Sequence, residues 1–143
     1  TADLPPAAVG QHRNVFRMCL HPEGLAARTV NFAEWAHYLL RQLRRTIVLT
    51  GDDELIALEA EVLGYPNVAA LARDRAPARA EEPALLVPFE FAVDDETTWS
   101  FFTTLTTFGT PLDVTLDELS VELFFPADGD TAEAVNAQAG RAR

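Results

Sequence analysis

The chain has 143 residues, 48% hydrophobic and 23% charged, which is enough apolar material for one domain and too much for a disordered segment. Eleven basic against twenty-two acidic residues leave a formal charge of −11, which repels phosphate backbones and anionic membrane surfaces and speaks against nucleic-acid binding by the chain itself. One cysteine rules out an internal disulfide and fits a reducing cytoplasm, and no segment approaches the ~18 consecutive apolar residues of a membrane span.

The N-terminal run TADLPPAAVG begins without Met, and Pro5, Pro6, Ala7 and Ala8 read as a stiff connector, so residues 1–9 are expected to be a linker from a domain cut away upstream. Asn14 then opens the apolar segment VFRMCL, closed by His21, Pro22 and Gly24. One or two helical turns under an asparagine cap fit best, with a strand as the alternative and Cys19 as core filler. The clearest helix starts at Asn31, where Glu34 three residues on completes a capping-box pattern. Phe32, Trp35, Ala36, Leu39, Leu40, Leu43 and Ile47 recur along it at helical spacing, with Arg41, Gln42, Arg44 and Arg45 opposite. Thr50, Gly51, Asp52 and Asp53 end that helix and cap a second, whose stripe is Leu55, Ile56, Leu58, Val62 and Leu63 and whose stop is Gly64 with Pro66. Residues 67–71 add a last helical turn, and Arg73 to Pro83 show no period and read as a surface connection.

Beyond that connection Leu85, Val87, Phe89, Phe91 and Val93 alternate with Leu86, Pro88, Glu90 and Ala92, a strand that Pro88 places at an edge or a bulge. Asp94 to Thr97 make a polar hairpin turn. Trp99, Phe101, Thr103 and Leu105 share one phase of the next strand, and Ser100, Phe102, Thr104, Thr106 and Phe108 the other; with both phases half-apolar it is sandwiched or lines a pocket. In the block FGTPLDVTLDELSVELFFPAD, Gly109, Thr110, Pro111 and Asp113 predict a reversal. Leu119, Val121, Leu123 and Phe125 then form the expected core face of a third strand, opposite Ser120, Glu122 and Phe124, and Pro126 ends it. Thr131 to Ala139 favour a weakly amphipathic helix, and residues 140–143 are expected to fray into a disordered tail. Helices first and an antiparallel meander afterwards make the fold class α+β.

Chemistry of the reactive kind has little support. His12, His21 and His37 lack the spacing of a metal site, no Gly-rich loop follows a strand, and Ser100 and Ser120 sit outside any nucleophile elbow. No enzyme, metal or cofactor is expected. Glu90 and Glu122 could meet across strands as a carboxylate pair, but both lie on the polar phase, where a solvated sheet face is the simpler reading. Arg41, Arg44 and Arg45, with Arg13 and Arg17, form a basic stripe that is first a helix's solvent side, and otherwise a contact for a partner domain or a ligand carboxylate. Trp35, Phe32, Leu39 and Leu43 are first of all core, and otherwise the lining of a cavity, because the chain carries more aromatic surface than one thin core layer requires.

NVFRMCLHPEG from Asn14, VNFAEWAHYLLRQLRR from Val30, LIALEAEVLG from Leu55 and the block from Phe108 to Asp128 together resemble the ligand-binding domain of MmyB-like transcription regulators, in order and spacing, over residues 10–135. Asn14, Arg17, His21, Pro22, Asn31, Trp35, Gly109, Asp113, Leu119, Glu122 and Asp128 match that family's motifs. The resemblance implies a PAS-like domain over residues 10–139, its N-terminal helices packed on the antiparallel meander, following a helix-turn-helix domain in a cytoplasmic bacterial regulator. It implies a hydrophobic ligand such as a fatty acid, a homodimer, and DNA contact only through the helix-turn-helix part. On that reading Arg17, or failing it Arg44, meets the ligand's head group, while Trp35, Leu39, Leu43, Phe101, Leu105 and Phe124 line its apolar part. The alternative is a PAS-like module with a filled core that serves only dimerisation or docking.

Overall fold

The computed structural model describes residues 14–73, 87–108 and 119–141, and the side chains of all of these except 105–108 and 119–122. The reversal expected at Gly109 to Asp113, the connection after Arg73, and Leu85 and Leu86 lie outside the described residues.

Asn14 has extended backbone angles, and its Oδ1 accepts from the backbone N–H groups of Phe16 at 2.9 Å and Arg17 at 3.4 Å, so helix α1 (Val15–Leu20) starts under the expected cap. A single 3-10 turn, Leu25–Arg28, follows Gly24. A Cβ at Gly24 would stand 2.5 Å from the Met18 carbonyl oxygen, so the chain folds back this closely only with a bare backbone there.

Helix α2 (Phe32–Thr50) buries Trp35, Ala36, Leu39, Leu40 and Leu43 and half-buries Phe32 and Ile47, the stripe that its sequence spacing predicts. Gly51, at φ 65°, closes it in the left-handed conformation with its N–H on the Ile47 carbonyl at 2.8 Å, and Asp52 Oδ1 accepts from the Glu54 N–H at 2.8 Å to open α3 (Asp53–Leu63). Only Leu55, Leu58 and Val62 of the expected α3 stripe reach the core, whereas Ile56 is 46% and Leu63 38% exposed. At 3.6 residues per turn the first three lie within one narrow arc, and the other two lie about a quarter-turn away. Gly64 keeps right-handed angles, so α3 ends without a left-handed glycine, and Pro66 begins α4 (Pro66–Arg73), a full helix rather than one last turn.

Strands β1 (Phe89–Ala92), β2 (Thr98–Phe108) and β3 (Leu119–Pro126) form an antiparallel sheet in the order β1-β2-β3, and α5 (Gly129–Arg141) packs on β2 and β3. The architecture is α+β, as expected, with β1 at an edge beside Pro88. Asp128 caps α5 by accepting the Thr131 N–H at 2.7 Å, a bond that holds its carboxyl below the usual carboxylate range. The buried Thr131 hydroxyl in turn accepts the Ser100 N–H at 3.1 Å, where β3 has left β2. Helix α5 runs on through Gly140 to Arg141, into the stretch expected to fray.

Two expectations are corrected here. Asn31 stands at the N-cap of α2 but its side-chain oxygen accepts nothing from the helix: Oδ1 accepts the Glu90 N–H at 3.1 Å and Nδ2 donates to the Pro88 carbonyl at 2.7 Å, and only a long 3.5 Å bond from Nδ2 to Glu34 remains of the expected capping box. The β3 phase is also inverted. Register pairs Thr103 with Phe124 and Phe102 with Phe125, and paired residues share a face. The Phe124 ring therefore meets Phe89 and Phe101 on the helix-facing side, while Phe125 stacks on Phe102 on the other side and is 40% exposed.

Candidate functional site

The strands line up their aromatic residues because Phe89 pairs with Phe101, and Phe91 with Trp99, across the β1–β2 hairpin. Phe89 then stands at the centre of a ring series. It lies 5.2 Å from Trp35 of α2, 5.9 Å from Phe91 and 6.1 Å from Phe124, and Phe124 is 6.4 Å from Phe101, all within the range of favourable aromatic pairing. Tyr38 stacks on Trp35 at 5.3 Å. The series grades from a fully enclosed Trp35 to Phe124, which is 39% exposed.

Of the residues expected to line an apolar ligand, Trp35, Phe101 and Phe124 are thus brought together through Phe89, and Leu39 and Leu43 follow Trp35 at four-residue steps on the same buried helix face. Leu105 lies on β2 in the phase of Phe101, and its side chain is outside the described residues. The two arginines expected at a head group have other partners. Arg17 Nε donates to both carboxylate oxygens of Glu61, at 2.9 and 3.1 Å, and Nη2 donates at 2.7 Å. Arg44 Nε donates to Glu59 at 2.5 Å. Each guanidinium already holds a carboxylate of α3, because α3 packs beside α1 and α2 and turns Glu59 and Glu61 toward them.

Around Glu61 a polar cluster ties α1 to the start of α4. The Tyr65 hydroxyl donates to Glu61 Oε1 at 2.7 Å, and the His21 ring meets Tyr65 edge-on at 5.0 Å. Partial burial first, and the bond to Glu61 second, push the Tyr65 phenol up to about 12. The same carboxylate raises Arg17 further above its ordinary range.

Arg28 is a residue that sequence reasoning missed. Its guanidinium lies 4.6 Å over the Phe91 ring, Nε donates to the Ala92 carbonyl at 2.9 Å, and Nη2 donates to the Val93 carbonyl. It fastens the 3-10 turn to the end of β1, and nothing in the local LAAR sequence marks that role.

Two buried polar atoms have no hydrogen-bond partner among the described residues, Trp35 Nε1 and Asn67 Oδ1; the Asn67 amide does donate to the Leu20 carbonyl at 3.0 Å. Among the described residues no three His, Cys, Asp or Glu side chains gather as a metal ion requires, and no single helix is long and apolar enough to cross a membrane. Glu90 is described and half-buried, whereas the Glu122 side chain is outside the described residues, as is His12.

A family model described as the MmyB-like transcription regulator ligand binding domain matches residues 1–137. No curated protein and no solved structure matches the chain.

Proposed function

The chain belongs to the MmyB-like transcription regulator ligand-binding domain family, and from that premise we propose that it senses a hydrophobic small molecule, such as a fatty acid, on behalf of an attached helix-turn-helix domain. The observation that carries this reading is the ring series from Trp35 through Phe89 to Phe101 and Phe124, an apolar surface shared by a helix and three strands and still part-exposed at Phe124. Helices laid against a short antiparallel sheet suit a PAS-like sensor, in which a ligand sits between the two layers. Occupancy would bias the attached domains only if the ligand binds two arrangements of the protein with different affinity, and a homodimer offers such arrangements. In this role the domain is a cytoplasmic binder rather than an enzyme, and DNA contact belongs to the helix-turn-helix part.

Magnitudes limit what apolar contact alone can do. Ten buried methylenes yield ~8 kcal/mol gross, and an association cost of at least ~4 kcal/mol leaves affinity near millimolar. A longer chain or a polar contact is needed to reach micromolar binding.

Native mass spectrometry of protein purified from cells tests the reading. A co-purified mass in the lipid range, removed by competition with added fatty acid, supports it. Protein that is always empty, and that binds no added fatty acid, overturns it in favour of a docking module. The outer sheet face, where Phe102 stacks on the 40%-exposed Phe125, is the observation that favours that second reading.

A further inference from the structure

With Arg17 and Arg44 each holding a carboxylate of the chain, the polar part of an apolar ligand needs another partner, and this inference rests on the sensing reading above. The indole N–H of Trp35 is the one described donor that is fully buried, unpartnered and set among the rings. Asn67 Oδ1, the other unpartnered atom, is an acceptor, on a residue of α4 whose amide donates to the Leu20 carbonyl of α1. Indole nitrogen is a donor only, and buried tryptophan N–H groups ordinarily find an acceptor, since one left unmade is destabilising. Trp35 is fully buried and packs against the Tyr38 ring at 5.3 Å and the Phe89 ring at 5.2 Å, contacts that restrict its rotamer and so the direction of its N–H before any ligand arrives.

We propose that the Trp35 indole N–H is the polar recognition point of the site, donating a hydrogen bond to an oxygen acceptor of the ligand. A neutral N–H donates to a carboxylate or an ester carbonyl alike and offers nothing to a quaternary ammonium. The ligand class is therefore an apolar chain carrying a carbonyl or carboxylate oxygen, selected without an ion pair.

Decanoic acid, methyl decanoate and decyltrimethylammonium share a chain and differ in the acceptor. In protein labelled with 15N at tryptophan, the indole signals belong to Trp35 and Trp99, and Trp99→Phe identifies which is which. The Trp35 N–H signal is expected to move downfield with the acid and the ester and to stay in place with the ammonium. Trp35→Phe is expected to weaken binding of the acid about tenfold more than binding of the ammonium, which loses only the apolar contact of the indole. If the acid binds without moving the Trp35 N–H, or loses no more affinity than the ammonium in Trp35→Phe, the recognition point lies elsewhere and the sensing reading survives. If none of the three binds and nothing co-purifies, the sensing reading itself fails. The labelled parent protein decides the matter where Trp35→Phe does not fold.

Discussion

Asn31 and Glu90 are joined side chain to backbone: the asparagine Oδ1 accepts the Glu90 N–H at 3.1 Å while its Nδ2 reaches the Pro88 carbonyl at 2.7 Å, so one side chain holds the polar groups on both sides of Phe89. The Val30 N–H adds a bond to the Glu90 carbonyl at 2.8 Å, and Trp35 follows one helical turn later, its N–H on the Asn31 carbonyl at 3.1 Å. The clamp thereby sets the Trp35–Phe89 contact from outside the aromatic series. Asn31→Ala leaves a strand N–H and a carbonyl unmatched and is expected to cost ~1–3 kcal/mol in urea unfolding. Asn31→Asp keeps the acceptor but turns a carboxylate oxygen on the Pro88 carbonyl, and is expected to destabilise as well. An alanine variant as stable as the parent would show that the clamp contributes nothing.

Phe124 and Phe125 are neighbours with nearly equal exposure, 39% and 40%, but they stand on opposite faces of β3. Truncating either to alanine removes a similar apolar area, so the two should lose stability by similar amounts, ~0.5–3 kcal/mol. Binding should separate them. Phe124→Ala is expected to weaken fatty-acid binding measured by displacement of a fluorescent analogue, and Phe125→Ala to leave it unchanged. Equal losses would place the ligand on neither face in particular and count against the ring series as the site.

Arg17→Ala and Arg44→Ala test whether either arginine meets a ligand. Both ion pairs are solvent-exposed, with arginine side chains 38% and 58% accessible, and exposed pairs contribute ~0–1 kcal/mol. Both variants are therefore expected to fold and to bind decanoic acid as the parent does. Should Arg17→Ala weaken the acid about tenfold while sparing the methyl ester, Arg17 must exchange Glu61 for the ligand carboxylate, and the head group would sit at α1 instead of Trp35.

The helices were legible because their ends are written in local chemistry: the Asn14 cap, the left-handed Gly51 and the Asp52 cap each depend on residues within one turn. The β2 boundaries were legible for the same reason, set between the Asp94–Thr97 turn and the edge of a long alternating run. What failed was decided at long range. Asn31 has a local pattern that fits a cap, yet partners about sixty positions away take its acceptor oxygen and its short amide bond, leaving Glu34 only a 3.5 Å contact. With Phe on both phases of β3, alternation could not choose the inner face, and only the register with β2 does so. Arg17 was placed correctly on a short helix beside the core, but its carboxylate partner comes from α3, 44 positions on, which no spacing rule reveals. The ring series was partly visible as a surplus of aromatic residues, whereas Phe89 as its hub emerged only from the hairpin pairing.

The Glu61 cluster predicts a dependence on alkaline pH. Tyr65 ionises at about 12 in the folded chain because its phenol is partly buried and donates to Glu61, whereas an unfolded tyrosine ionises at about 10. A raised folded value means that the unfolded chain gives up the proton first, so the contribution of this group is complete below pH ~10 and is lost as pH climbs toward 12. The urea midpoint should therefore fall across that window in the parent and fall less in Tyr65→Phe. Tyrosinate absorbance of the parent minus that of Tyr65→Phe isolates the one phenol. Its rise is expected close to pH 12, and Glu61→Gln, which removes the charge but keeps an acceptor, should bring it down toward the ordinary value. A difference signal already complete near pH ~10 would mean that the Tyr65–Glu61 bond does not form in solution, and the bridge from α1 to α4 would go with it.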